Sequence, residues 1–277
     1  VPTCSLLAIG NELLNGEIRD LNLHTLSQRL TRLGFHVGPA VITRDIPESI
    51  VSSLTFLLAG APDVLICSGG LGPTEDDLTL QALTRYLGRD LVPSAEARLL
   101  VEAQYDQLMK AGYLEHRGPE AARDKMACLP EGSRPLPNPV GTAPGVCLQA
   151  QDTVIYVLPG VPAELDAIFA TSIVPELRQR YALGFWAQGA LRVFVDDEAE
   201  VALPLTTVSA RHPDVYLKSL AQPFPAAGRE GLRIIASINA STIMLARQKV
   251  NDALADLGLA LDAAGLRFAY EEDVPVQ

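Results

Sequence analysis

Acidic residues that follow apolar runs, and one glycine-rich turn, carry the chemistry in this sequence. The runs SLLAI (5–9), FHVGPAVI (35–42) and DVLIC (63–67) are each followed by at least one carboxylate: Glu12, then Asp45, then Asp76 with Asp77. Short unbroken apolar runs of this kind read as strands covered on both faces, and parallel sheets place ligands outside the carboxyl ends of their strands. Acids from several strand ends meeting on one rim, with no histidine or cysteine cluster beside them, suit a hard divalent cation held through oxygen. Asp77, Asp45 and Glu12 are the expected metal ligands.

The strongest single signal is SGGLGPTEDD at 68–77, between the third strand and the next helix. Gly69, Gly70 and Gly72 allow positive φ and close backbone approach, while Thr74 and the amides after it are expected to open a helix whose N-terminus favours an anion. This spacing is neither a Walker A loop, since no lysine follows in register, nor the dinucleotide GxGxxG fingerprint. No acidic helix signature of a Nudix enzyme is present. A plainer reading stays open: Thr74 with Asp77, and Asp45 with Glu48 around Pro47, both have the spacing of helix capping boxes.

Phosphate and carboxylates sharing a cleft repel unless a cation bridges them, so the combination points to a metal-dependent phosphoryl reaction. Lys125, Arg19 and Arg44 are the candidates to neutralise a second phosphate, against the plainer reading that such side chains lie in solvent. The proline- and glycine-rich stretch 130–145 would hold little regular structure, and its Asn138, Gly141 and Thr142 could line the ligand. A rigid connector is the alternative.

The rest of the sequence narrows the class. In 277 residues there are 22 basic and 33 acidic side chains, a net charge of −11 that disfavours broad binding to nucleic acid or an anionic membrane. Cys4, Cys67, Cys128 and Cys147 form no CxxC pair and read as structural thiols, and His24, His36, His116 and His212 lack ligand spacing. Phe185 and Trp186 read as packing residues. No segment has the apolar length of a membrane span, and the start of the chain shows no secretory signal, so a reducing, cytoplasmic setting is expected.

Two domains are expected. Residues 1–182 alternate strand and helix: the leucines Leu23, Leu26, Leu30 and Leu33 mark a helix ended by Gly34, and further helices are expected at 46–58, 77–87, 95–110, 119–127 and 162–181. VCLQA and TVIYVLPG read as a hairpin or two sheet strands. This is an α/β, three-layer domain with a mostly parallel sheet. Residues 183–277 read as a small α+β domain, with strands at 190–195, 214–219 and 231–238, helices near 198–211 and 242–257, and a surface loop at 220–228. Its GREG run at 228–231 satisfies the GxxG of a KH backbone clamp, but it precedes a strand instead of joining two helices.

IGNELLNGEIRDLN (9–22), GGLGPTEDDLT (69–79), NPVGTAPG (138–145) and LPGVPAE (158–164) resemble, in order, the motifs of the CinA family of competence/damage-inducible proteins. The resemblance implies a molybdopterin-binding-like amino-terminal domain followed by a KH-type module. It implies a metal-dependent ADP-ribose pyrophosphatase that releases AMP and ribose 5-phosphate, using Co2+, Mn2+ or Mg2+; related domains hydrolyse FAD. By similarity Glu12, Asp45 and Asp77 line the cleft, Gly70, Gly72 and Thr74 form the anion loop, and Asn138, Gly141 and Thr142 form a second loop. Lys125 matches the family's basic residue ahead of LPEG. Asp124 departs from the asparagine of many members, which would weaken anion binding or reorient the lysine. The carboxyl-terminal nicotinamide-mononucleotide deamidase domain of longer members is not expected here.

The leading expectation is therefore hydrolysis of a small nucleotide diphosphate, with Asp77, Asp45 and Lys125 as catalytic residues and Gly69, Gly70, Gly72 and Thr74 binding phosphate. The competing readings are a molybdopterin- or nucleotide-binding protein or pterin adenylyltransferase without pyrophosphatase activity, and a nucleic-acid adaptor acting through the second domain. A homo-oligomer is left open, because small second domains often pack between subunits.

Overall fold

The structure, a computed structural model, describes residues 1–220 and 231–271. The chain divides into two compact units, Val1–Thr31 with Phe35–Ala182, and Arg32–Gly34 with Leu183–Gln277.

In the first unit a six-stranded sheet has the order β2-β1-β3-β8-β7-β6. Its strands are β1 (Thr3–Ile9), β2 (His36–Thr43), β3 (Val64–Ser68), β6 (Arg134–Leu136), β7 (Gly145–Ala150) and β8 (Thr153–Leu158). β1 runs parallel to β2 and to β3, and β3 runs parallel to β8. β7 is antiparallel to β8 and to β6, which makes 145–158 a hairpin and β6 an edge strand that tolerates Pro135. The proline-rich stretch thus contributes the short strand β6, and just ahead of it β5 (Cys128–Pro130) pairs with β4 (Leu91–Pro93).

Why the central strands read as continuous apolar runs is visible in their burial. Leu7, Ile9, Leu65, Cys67, Ile155 and Val157 share one core with Ile50, Leu54 and Leu57 of α3 (Pro47–Leu58) and Ala82 and Leu83 of α4 (Thr79–Leu87). The alternate residues Leu6, Ala8, Val64, Ile66, Val154 and Tyr156 are buried as well, so both faces of the sheet are covered. α2 (Asn22–Leu33) buries Leu26 and Leu30, and its Arg29 pairs with Asp166 of α7 (Pro162–Ile168) at 3.4 Å. α1 (Asn11–Leu14), α5 (Ala95–Lys110), α6 (Glu120–Met126) and α8 (Val174–Arg180) complete the unit.

The expected single helix over 162–181 is broken by a π turn at Phe169–Ile173. Pro175 follows in the first turn of α8, and a residue without an N–H cannot continue an i to i−4 ladder.

The second unit is α+β. Its antiparallel sheet has the order β10-β11-β9-β12, formed by β9 (Phe185–Val193), β10 (Tyr216–Leu220), β11 (Leu232–Ala240) and β12 (Phe268–Tyr270). Leu191, Val193, Ile234 and Ala236 pack with Val208 of α9 (Ala202–Arg211) and Val250, Leu254 and Leu257 of α10 (Ile243–Ala263). β12, at three residues, is too short to give a period in sequence, and β9 begins earlier than expected. Apart from Leu220 and Gly231, the expected loop at 220–228 and the GREG run lie outside the described residues. No described helix is long and apolar enough to cross a membrane.

Candidate functional site

The strand order turns back between β1 and β3, the type of switch point at which open α/β sheets hold ligands. With β2, β1, β3 and β8 parallel, the segments leaving their carboxyl ends lie side by side and border one cleft of about 560 Å³. Asp45 comes from the end of β2, Gly10 and Glu12 from that of β1, the 69–77 loop from β3, and Pro159 to Glu164 from β8. Asp45 and Asp77 therefore border the same space.

Geometry explains the glycines of the loop. Gly69 has φ 107° and Gly70 has φ 66°, and a Cβ at 69 would stand 2.1 Å from the Ile9 carbonyl oxygen. Gly72 makes room for a side chain: a Cβ there would meet the Asp77 carboxylate at 2.6 Å. Among the described residues, the amides of Gly70, Leu71 and Gly72 donate to no protein acceptor, and all three residues border the cleft. Consecutive unclaimed N–H groups in such a loop form an anion-binding nest.

Beyond the nest the structure departs from expectation. Thr74 does not open a helix. The Asp77 N–H donates to the Thr74 carbonyl at 3.2 Å, closing a turn, and α4 starts only at Thr79 with Leu78 as its N-cap. The Thr74 N–H and hydroxyl both donate to Asp77, so Thr74 holds a carboxylate in place and does not itself border the cleft. The capping box read from Thr74 and Asp77 is thereby replaced by a turn ahead of the helix, pinned where the Thr79 hydroxyl donates to the Gly69 carbonyl at 2.8 Å.

Asp45 is likewise not a helix cap. Its carboxylate accepts the Asn11 N–H at 2.7 Å, Ile46 takes the N-cap position of α3, and Glu48 pairs with Arg85 at 2.8 Å. Burial pushes the Asp45 carboxyl above the ordinary aspartate range; the Asn11 bond opposes this, and the charges of Glu12 and Asp76 add to it. Asp76, named with Asp77 in the sequence, is held low by hydrogen bonding at Thr74 and by the charge of Lys125.

The expected three-carboxylate cage is not formed. Among the described residues no three His, Cys, Asp or Glu side chains gather into a metal-holding group, because Asp45 is turned to the Asn11 amide and Asp77 to Thr74. The donors fit a hard cation in another form. Magnesium-like ions characteristically take one or two carboxylates and complete their shell with phosphate oxygens and water.

The second loop is built differently from its expected role. Asn138 is buried, and its amide N–H groups donate to the Ala143 carbonyl at 2.8 Å and to Glu164 at 2.7 Å. Its oxygen accepts from Val140 at 3.1 Å and Gly141 at 2.9 Å, which exhausts the side chain. Asn138 is a staple, not a phosphate ligand. Gly141 is close-packed against the Glu164 carboxyl, where a Cβ would come within 2.1 Å, and only Thr142 of the three borders the cleft.

Of the basic candidates, Arg19 borders the cleft, whereas Arg44 donates to Asn15 at 3.0 Å. Lys125 donates to the Thr74 carbonyl and so stands on the outer side of the anion loop, and Asp124 beside it is paired with Arg98. Two residues inside the quoted motifs were missed. Asn22 is buried and donates to the Ser68 hydroxyl and the Gly160 carbonyl, each at 2.8 Å, tying the ends of β3 and β8 together. Glu164 borders the cleft, and burial raises its carboxyl above the usual range. Cys4, Cys67 and Cys147 are buried free thiols; burial pushes Cys67 to about 12 and Cys147 to about 11, as expected of structural cysteines.

A mostly parallel α/β sheet with a cleft at its switch point defines a domain of the small-molecule-binding class. More specifically, the chain belongs to the family described as "probable molybdopterin binding domain", whose model matches residues 5–179. A protein of Pyrobaculum calidifontis is 38% identical over 219 residues, covering 79% of this chain and 80% of its own length. One of Aeropyrum pernix is 35% identical over 271 residues, covering 98% of each. The crystal structure of the protein CinA with unknown function, from Thermoplasma acidophilum, matches with a TM-score of 0.55 and 30% identity, over 64% of this chain and 97% of that one.

Proposed function

We propose that the cleft hydrolyses the diphosphate of ADP-ribose or a related nucleotide such as FAD, with a divalent metal ion as cofactor. The observation that carries this reading is the unclaimed amide run Gly70 to Gly72 beside the Asp45 and Asp77 carboxylates, in one cleft. The amides would take the charge that grows on the diphosphate oxygens, at a place where no reorganisation is needed. Lys125, on the outer side of the same loop, lowers the electrostatic cost of that charge. Asp45, with its raised proton affinity, is suited to accept the proton of the water that attacks phosphorus as the P–O–P bridge breaks, giving AMP and ribose 5-phosphate. Asp77, fixed by Thr74, with Glu12 nearby, would hold the ion through oxygen. The ion when bound would screen the carboxylates from the phosphates and draw charge from the phosphoryl oxygens.

The full-length chain incubated with ADP-ribose, and separately with FAD, in magnesium, manganese or cobalt should release AMP, and chelator should stop it. Absence of AMP in every metal would sink the hydrolytic reading. The family description favours one second reading: a cleft that binds a phosphorylated pterin or nucleotide without cleaving it, or transfers an adenylyl group to it. Stoichiometric binding of such a ligand with no AMP release would select that alternative.

A further inference from the structure

Glu164 has no part in the chemistry above, yet its carboxyl is held in place at the cleft. It sits in the first turn of α7, half-buried, with its carboxyl laid against the bare Cα of Gly141. Asn138 donates to one oxygen, Oε2, at 2.7 Å. Among the described residues the other, Oε1, accepts no hydrogen bond, although Glu164 borders the cleft. Oε1 is not among the buried polar atoms left without a partner, so it keeps access to the cleft, where a donor N–H of a ligand can meet it.

Along the rim the order is Asp45 after β2, Glu12 after β1, the amide nest after β3 and Glu164 after β8. Glu164, reached through β8, therefore lies on the side of the nest away from β2 and Asp45. A ligand whose diphosphate occupies the nest has its charged part toward Asp45 and Glu12 and another part beside Glu164. That part is not a phosphate, which the carboxylate would repel. Near it the chain offers Ala143, Pro159, Val161 and Pro162, and Thr142 as the one polar side chain of its loop on the cleft. Such walls leave most hydroxyls of a sugar unpaired but suit the faces of a flat ring.

Resting on the diphosphate reading of the nest, we propose that Glu164 recognises the fused nitrogen heterocycle of the ligand, its free carboxylate oxygen accepting a hydrogen bond from a ring N–H or amino group. Asn138 and Gly141 then act as positioning residues, which accounts for their presence in a loop that does not reach the phosphates.

The test is calorimetric titration of AMP, ribose 5-phosphate and inorganic pyrophosphate into the full chain and into Glu164→Ala and Glu164→Gln. Loss of one hydrogen bond to a charged group should weaken AMP by roughly tenfold or more in the alanine variant, leaving pyrophosphate and ribose 5-phosphate nearly unchanged. The glutamine variant should fall between, because its single oxygen cannot serve Asn138 and the ring together. Equal weakening of pyrophosphate in both variants would mean that Glu164 only shapes the loop, and unchanged AMP affinity, weakening of ribose 5-phosphate in step with AMP, or no AMP binding by the unaltered protein would overturn the assignment. Glu164-dependent AMP binding without ADP-ribose cleavage would remove the hydrolytic reading and leave this one standing.

Discussion

The carboxylate of Asp45, at the end of β2, accepts the main-chain N–H of Asn11, at the end of β1, at 2.7 Å. The bond joins neighbouring strand ends that are 34 residues apart in sequence. It turns a residue with the spacing of a helix cap into a wall of the cleft, where burial and the charges of Glu12 and Asp76 raise its proton affinity.

An acid that binds its proton more tightly in the folded chain opposes folding once it ionises: the penalty is absent below the ordinary aspartate range and grows as pH rises through the folded-state value. Asp45→Asn keeps an acceptor for Asn11 and removes the penalty. Its melting temperature relative to the unaltered protein should therefore rise as pH climbs above the ordinary aspartate range, while ADP-ribose turnover falls. A relative melting temperature that moves the other way would contradict the raised proton affinity.

Gly69 and Gly72 should separate stability from activity. Alanine at 69 needs both a left-handed backbone and the space of the Ile9 carbonyl, so Gly69→Ala should cost more than about 2 kcal/mol in urea unfolding. At 72 the backbone is ordinary and the obstacle is the Asp77 carboxylate, which can swing aside. Gly72→Ala should fold with a smaller loss and show a larger fall in kcat than in stability.

Removing the Asn138 side chain leaves the Gly141 and Val140 amides, the Ala143 carbonyl and Glu164 without their partner. Asn138→Ala should destabilise by about 2 to 4 kcal/mol, several times an ordinary surface change. Urea titration measures this directly, and a loss under about 0.5 kcal/mol would show that water replaces the staple.

Lys125→Met removes a cation from the outer side of the anion loop and preserves the length of the side chain. Pyrophosphate affinity should fall several-fold and become less sensitive to salt, with little change in melting. The neighbouring Asp124 pairs with Arg98 at the surface, so Asp124→Asn should shift stability by less than about 1 kcal/mol. A large effect of Asp124→Asn on pyrophosphate affinity would show that the ion pair holds Lys125 in place.

The main elements of the first unit were legible because their signals are local. SLLAI and DVLIC are apolar at every position since both faces of their strands are covered, and Leu26 and Leu30 share one face of α2 because that face is buried. The π turn at Phe169–Ile173 and strand β12 were not legible, because neither leaves a period long enough to read. In the site the same division holds. Gly69 and Gly70 were recognisable, since only glycine takes their backbone conformation freely, whereas Asn138 had the right type in the right loop and an inward-turned role.

Residue order alone determined the layered α/β architecture, the glycine turn after the third run and the acids that follow each run, because all of these depend on neighbours along the chain. Only the tertiary structure decided what each acid does. Asp45 and Asp77 are partnered by Asn11 and Thr74 instead of forming a three-acid cage, and Glu164 enters the cleft through Asn138 and Gly141. The physical reason is that a carboxylate takes its role from the N–H and O–H groups that folding brings within hydrogen-bond reach, across the sheet for Asn11 and Asp45 and within one turn for Thr74 and Asp77.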